Sequence, residues 1–360
     1  MDGARPGWDP RLRKAAALLL AGAAAFFAAE LALRALLFSG GERFAGLRRA
    51  GRYADPDCEE DYWKLDYAMG PEFPPPEHTH PVLGWVGRFS PRTYRHDDEG
   101  LLGRRRPVLL YGDSFACCSP QSRCFEDLLA QEPDFAAGHL LLNYGVGGYG
   151  VDQMLLLVQR TLDLYERPFV VLSLMTLGLD RSVLKVRTGQ KPRFTLADGE
   201  LVLASPRIEP RAEDFFDAHP PEIRSYVYRG LLHSRLVPKR VTAWLTGERT
   251  HRAEKQALNE ALILALLDEV RSRGLDHVFL VFHPHVQGIS TLDGPSDWRD
   301  PFLRGLLQGA GAPLIWSKDL LPEGGALDPS LYILPGDGHP TTLFNTLVAR
   351  ALKDAVLAAD

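Results

Sequence analysis

The chain has no excess of positive charge: across 360 residues the formal net charge is -5 and the pI is near 6.1. Lys and Arg gather only in short runs such as Arg104-Arg105-Arg106, which argues against a nucleic-acid partner. There is no internal repeat and no long low-complexity segment, so the chain is not a repeat array. No Gly-Lys-Ser/Thr occurs in the chain, which excludes the usual phosphate loop, and a dinucleotide site is not expected. His78-Thr79-His80 and His283-Pro284-His285 each set two imidazoles on one side of an extended segment. Neither has a carboxylate or thiol at ligand spacing, so no metal and no cofactor is expected.

What is present suits a folded domain. The hydrophobic share is 45% and the charged share 24%, ordinary for a globular protein with a substantial core. The N-terminus stands apart. After Arg11, Arg13 and Lys14, residues 15–29 carry no polar side chain, and Glu30 and Arg34 interrupt the run before Phe38. A helix over 15–38 would be about 36 Å long, enough to cross a hydrocarbon core of about 30 Å. Glu30 and Arg34 stand i, i+4 in the favourable order and pair at its far end. The readings are a membrane anchor, a cleaved signal peptide or a buried soluble helix. Basic residues flank the segment equally, four before it and four after. The short preceding tail favours an N-terminus inside and a body outside the cytoplasmic membrane.

The organisation expected is an N-terminal tail and transmembrane helix over 1–38, a linker and lead-in over 39–80, and one main domain over 81–360. Five prolines in 71–81 rule out a helix or central strand there, while Tyr62, Trp63, Tyr67 and Trp85 suggest packing onto the body. Downstream, Val108-Leu109-Leu110-Tyr111 reads as a strand buried on both faces. Further strands are expected at 140–143, 169–174, 277–282 and 313–316. Helices alternate with them at 114–129, 152–165, 253–273 with Gly274 as C′ glycine, 301–308 and 342–358. Leu343, Leu347, Ala351 and Leu352 mark one face of the last helix. The fold class is therefore α/β, a five-stranded parallel sheet covered on both sides. An insertion or cap at 185–250 carries a hairpin around Asp198-Gly199 and a helical stretch at 222–245.

Ser114 follows Gly112-Asp113 at the first strand-to-helix turn, where free helix N–H groups accompany an exposed hydroxyl. It reads either as a nucleophile or as an N-cap. Gly336-Asp337-Gly338-His339-Pro340 precedes the last helix, where His339 suits a general base oriented by Asp337, or ordinary turn chemistry. Asn143-Tyr144-Gly145-Val146-Gly147-Gly148 ends the second strand and allows close backbone approach to a ligand. Cys117, Cys118 and Cys124 lie within eight residues beside the turn. They suit a disulfide in an oxidising compartment, or packed thiols.

Together these blocks resemble the SGNH/GDSL hydrolase family, over roughly 80–355. His80-Pro81-Val82-Leu83-Gly84-Trp85 and Tyr149-Gly150-Val151-Asp152-Gln153 are similar to members with an N-terminal membrane segment. The resemblance implies a flavodoxin-like three-layer α/β/α sandwich and ester hydrolysis through an acyl-serine intermediate. Ser114 would be nucleophile, His339 base and Asp337 its orienter. The N–H groups of Ser114 and Gly148 would form part of the oxyanion hole, with Asp113 and Asn143 in the surrounding motifs. Two departures stand out. Leu177-Gly178-Leu179-Asp180 puts Leu179 where the family has an oxyanion-donating Asn, with Thr176 a neighbour able to substitute. Asp337 precedes His339 by two residues rather than three. The function expected is a membrane-anchored serine esterase acting on an acylated glycan or lipid-like ester. A catalytically silent binding module and an acyltransferase using the same residues are the rivals.

Overall fold

The computed structural model describes residues 10–39, 41–69, 78–87, 102–204, 207–234, 236–283, 298–322 and 328–360. The chain divides into two compact units, one of residues 1–71 with 219–248 and one of 72–218 with 249–360.

The second unit holds a parallel sheet of five strands: β1 (Arg106–Gly112), β2 (His139–Gly145), β3 (Phe169–Met175), β4 (His277–Phe282) and β5 (Leu314–Trp316). Their order is β2-β1-β3-β4-β5, every pair parallel. The two-residue period of a strand sorts the side chains onto two faces. Leu109, Tyr111, Leu142, Val170, Leu172, Phe279 and Val281 pack with the helix Val151–Thr161 and with Leu262, Leu266 and Val270 of the helix Glu248–Arg271. Val108, Leu110, Val171, Val278 and Leu280 face the other way, against Phe125, Phe344, Val348 and Leu352. Helices therefore cover both faces, the flavodoxin-like three-layer sandwich that the sequence implied. With this strand order the connections leaving β1 and β3 diverge, and a crevice opens at their carboxyl ends.

Several elements differ from expectation. Residues 114–129 do not form one helix but two, Ser114–Cys117 and Phe125–Leu129. Cys118 takes φ 61° and Pro120 bars helix at Ser119, which together end the first segment. A Cys118–Cys124 disulfide closes the intervening loop. The last helix, Thr342–Leu357, buries Phe344, Val348, Leu352 and Val356, whereas Leu343 is exposed. The hairpin forms as expected, Phe194–Ala197 with Glu200–Leu203, and turns at Asp198 and Gly199, both with positive φ. The helical stretch at 222–245 is instead two short helices, Tyr226–Leu232 and Lys239–Leu245, separated by Pro238.

The first unit begins with the helix Pro10–Phe38, long and apolar enough to cross a membrane. Leu18, Leu19, Leu20, Phe27 and Leu31 are exposed, so most of its length is not packed into a core. Within 39–80, two 3-10 segments and the helix Glu60–Ala68 stand where a linker was expected. Ala50, Tyr53 and Leu65 form a core there with Leu37, Ile223 and Tyr226. The proline-rich residues 71–77 lie outside the described residues.

Candidate active site

Ser114 is the first helical residue after β1, half-buried at the carboxyl edge of the sheet. The cap of its short helix is not Ser114 but Asp113, whose Oδ1 accepts from the Phe115 N–H at 2.9 Å. The hydroxyl is thereby released from the role that a serine at such a turn ordinarily plays. Among the described residues it makes no side-chain hydrogen bond. The turn is tight enough to require Gly112: a Cβ there would lie 2.7 Å from the Ala116 Cβ and 2.9 Å from the Ser173 carbonyl oxygen.

Asp113 is buried, and its Oδ2 accepts from Arg181 Nη1 at 2.6 Å. Arg181, buried as well, also donates to the Tyr149 carbonyl at 3.1 Å. One guanidinium thus ties the Ser114 turn to the loops after β2 and β3. Nothing in the sequence pattern singled it out.

The loop after β2 approaches from the side. The Val146 N–H donates to the Gly112 carbonyl at 3.0 Å, and a Cβ on Gly147 would lie 4.0 Å from that of Ser114. Gly148 has φ 87°, open to glycine at little cost. A Cβ on it would meet Arg187 Nη1 at 2.5 Å and Thr188 Oγ1 at 2.8 Å. Two side-chain donors therefore border this glycine, and neither was recognised from sequence. Trp85 fixes the loop from behind, donating to the Gly147 carbonyl at 3.0 Å and accepting from the Tyr149 hydroxyl at 2.5 Å through its own carbonyl.

Asn143 has a supporting place. Its Nδ2 donates to the Ala116 carbonyl and to Glu126 Oε2, each at 2.9 Å, and its Oδ1 accepts from the Gly145 N–H. Buried and fully engaged, it holds the Ser114–Cys117 helix on β2.

On the other side, His339 Nδ1 lies 2.7 Å from Asp337 Oδ1. Asp337 Oδ2 accepts from Ser119 Oγ at 2.5 Å, so the carboxylate is tied to the loop that follows the Ser114–Cys117 helix. The Leu334 N–H donates to the His339 carbonyl at 2.9 Å, closing the turn. The imidazole packs 5.2 Å from the ring of Phe115, the residue after Ser114. The structure joins Asp337 to His339 by a hydrogen bond; it forms none between Ser114 and His339.

Leu179 is fully buried, and its carbonyl accepts from Asn259 Nδ2 at 2.9 Å. Its side chain has no donor to offer an oxyanion. Asp180 is buried too, paired with Lys255 at 2.5 Å and with Arg299. The nearby Thr176 is buried, with Oγ1 unpaired among the described residues.

The histidine pairs resolve into separate parts. His80 is buried and its Nδ1 accepts from the Val82 and Leu83 N–H groups at 3.1 and 3.0 Å. Burial, helped by Arg160, pushes its pKa from 6.5 down to about 4. His283 follows β4 and is buried against Trp316, with Nε2 3.0 Å from Asp300 Oδ1. Burial lowers its pKa despite that carboxylate. For Asp300, burial acts to raise the pKa, but His283 and Lys318 outweigh it and hold the carboxyl low. His285 lies outside the described residues. Among the described residues no three His, Cys, Asp or Glu side chains gather as a metal site would need.

No family model matches the chain, and no curated protein matches it. Solved structures do. A protein assigned to the G-D-S-L lipolytic family of Desulfitobacterium hafniense DCB-2 is 10% identical, with 70% of this chain and 99% of that one covered and a TM-score of 0.37. An acetylxylan esterase variant from Geobacillus stearothermophilus is 12% identical, covering 70% and 94%, with a TM-score of 0.36. A carbohydrate acetylesterase from Sinorhizobium meliloti is 13% identical, covering 71% and 100%, with a TM-score of 0.34.

Proposed function

We propose that this chain is a serine ester hydrolase of the SGNH type, held at a membrane by its N-terminal helix. The observation that carries the reading is the pairing of His339 with Asp337 beside Phe115, next to a serine whose capping role Asp113 has taken over. A proton on Nδ1 is held by the carboxylate, which leaves Nε2 as the base. Ser114 Oγ attacks the ester carbonyl carbon while His339 Nε2 takes its proton. The tetrahedral oxyanion is met by the N–H groups of Ser114 and Gly148, with Arg187 and Thr188 beside them in place of the missing Asn donor. The ester C–O bond breaks and His339 returns the proton to the departing alkoxide. Water, deprotonated by His339, then attacks the acyl-serine; the acid leaves and Ser114 regains its proton.

The Cys118–Cys124 disulfide supports a body in an oxidising compartment, outside the cytoplasmic membrane. The docking of Glu30 and Arg34 onto residues 223–227 supports an anchor rather than a cleaved signal, because cleavage would strip the unit of part of its core. The substrate class is an acylated glycan or lipid-like ester.

Burst kinetics with p-nitrophenyl acetate test the mechanism. One equivalent of nitrophenol released ahead of steady turnover, and lost in Ser114→Ala, is the expected result. Leu179 favours one other reading, a binding module that retains the fold without turnover; an acyl ester bound but never cleaved would establish it.

A further inference from the structure

The N-terminal helix does not end freely. Glu30 is buried, and its carboxylate accepts from Ser225 Oγ at 2.9 Å and from the Tyr226 and Val227 N–H groups at 3.0 Å. Arg34 pairs with Glu30 at 2.7 Å, donates to the Ile223 and Arg224 carbonyls, and lies 4.7 Å over the Tyr226 ring. Phe38 meets the same ring edge-on at 5.7 Å. Residues 223–227 are thus held at one level along the helix. Counting from Ala15, Arg34 is reached after about 30 Å at 1.5 Å per residue, which is the thickness of a hydrocarbon core. On the anchor reading, that level is the far boundary of the bilayer.

The chain leaving this level exposes apolar side chains where a water-soluble surface would not. The helix Lys239–Leu245 buries no residue at all. Leu236 is 82% exposed and Trp244 79% exposed, with Leu231, Val241 and Leu245 also open. Lys239 and Arg240 are exposed beside them. A short helix with no core partner, carrying Trp and Leu together with adjacent cations, has the composition of a segment lying in the headgroup region.

Resting on the anchor reading above, we infer that residues 228–234 and 236–245 form a second membrane contact, an amphipathic foot. It seats Leu236, Trp244 and Leu245 at the acyl–headgroup boundary of the membrane that the N-terminal helix crosses. Its cations meet anionic headgroups, so the contact favours anionic over neutral lipid. A second copy of this chain is the competing occupant.

The test uses the full chain reconstituted in phosphatidylcholine–phosphatidylglycerol vesicles, as wild type and as Trp244→Phe. Flotation with the vesicles reads the anchor. The difference between the two emission spectra isolates Trp244, and lipids brominated near the headgroup or near the chain ends read its depth. The foot requires that the vesicles float with the protein. It also requires that Trp244 emission shift to shorter wavelength and lose most of its intensity to headgroup-proximal bromines. Leu236→Ser with Leu245→Ser should restore that emission without releasing the protein from the vesicles. Flotation with Trp244 unaffected by bromolipid and open to aqueous iodide would overturn the foot and leave the anchor standing. Shielding from iodide that grows with protein-to-lipid ratio, without bromine quenching, would overturn it in favour of self-association. Failure to float would overturn the anchor reading and the foot with it.

Discussion

Arg181 and Asp113 form a buried ion pair directly behind Ser114, with Nη1 and Oδ2 2.6 Å apart. Removing one partner leaves an uncompensated charge in the interior, which typically costs about 3–5 kcal/mol. Arg181→Met should therefore lower the denaturation midpoint strongly, and Asp113→Asn in the same chain should recover part of the loss. Equilibrium urea unfolding of both variants reads this directly. An unchanged midpoint in Arg181→Met would mean that the pair contributes nothing.

Arg187 tests the oxyanion hole. Its Nη1 would be 2.5 Å from a Cβ on Gly148, and the position where an Asn donor was expected holds the buried Leu179. If Arg187 supplies the missing donor, Arg187→Met should lower kcat by about 10²–10³-fold with little change in KM. Leu179→Asn should not raise the rate. It places an amide in an apolar pocket and should destabilise the fold by about 1–3 kcal/mol. Steady-state kinetics and unfolding curves separate the two effects.

The Cys118–Cys124 bridge closes a loop six residues apart in sequence. A loop of that size restricts the unfolded chain by about 2 kcal/mol. Reduction, or Cys118→Ala with Cys124→Ala, should lower stability by that amount. Activity should fall as well, because Ser119, which donates to Asp337, lies inside the loop. Thiol counting with and without reductant, beside an unfolding curve, checks both.

His80 gives the fold a dependence on pH. Burial holds its pKa at about 4 rather than 6.5, so between these values the unfolded chain binds more protons than the folded one. The neutral ring's contribution is complete above about pH 6.5 and is lost as pH falls towards 4, on the order of 3 kcal/mol in all. His80→Asn keeps an acceptor for the Val82 and Leu83 N–H groups without the titration. Its stability should fall less steeply over that range, as melting temperatures at successive pH values will register.

The sheet was legible because its strands carry short apolar runs, such as Val108 to Tyr111 and Val278 to Phe282. Ser114, Asp337 and His339 were legible because each stands in a short local motif. What was missed depends on distance in sequence. Arg181 meets Asp113 across 68 residues, and no spacing rule joins them. Glu30 meets Tyr226 across 196 residues, which is why residues 219–248 belong with the N-terminal segment rather than wholly to a cap on the body. The buried face of the last helix was read one position early, at Leu343 instead of Phe344, because both are apolar and only packing chooses between them. Asn143 was legible as a motif residue, but its place beneath the Ser114–Cys117 helix emerges only from the partners of its amide.

Labelling of the full-length protein in membranes with a fluorophosphonate probe tests the account most directly. Wild type should label covalently at Ser114, and both Ser114→Ala and His339→Ala should abolish it, since the first lacks the hydroxyl and the second the base. A well-folded wild type that takes up no probe, or labelling that persists in Ser114→Ala, would contradict it.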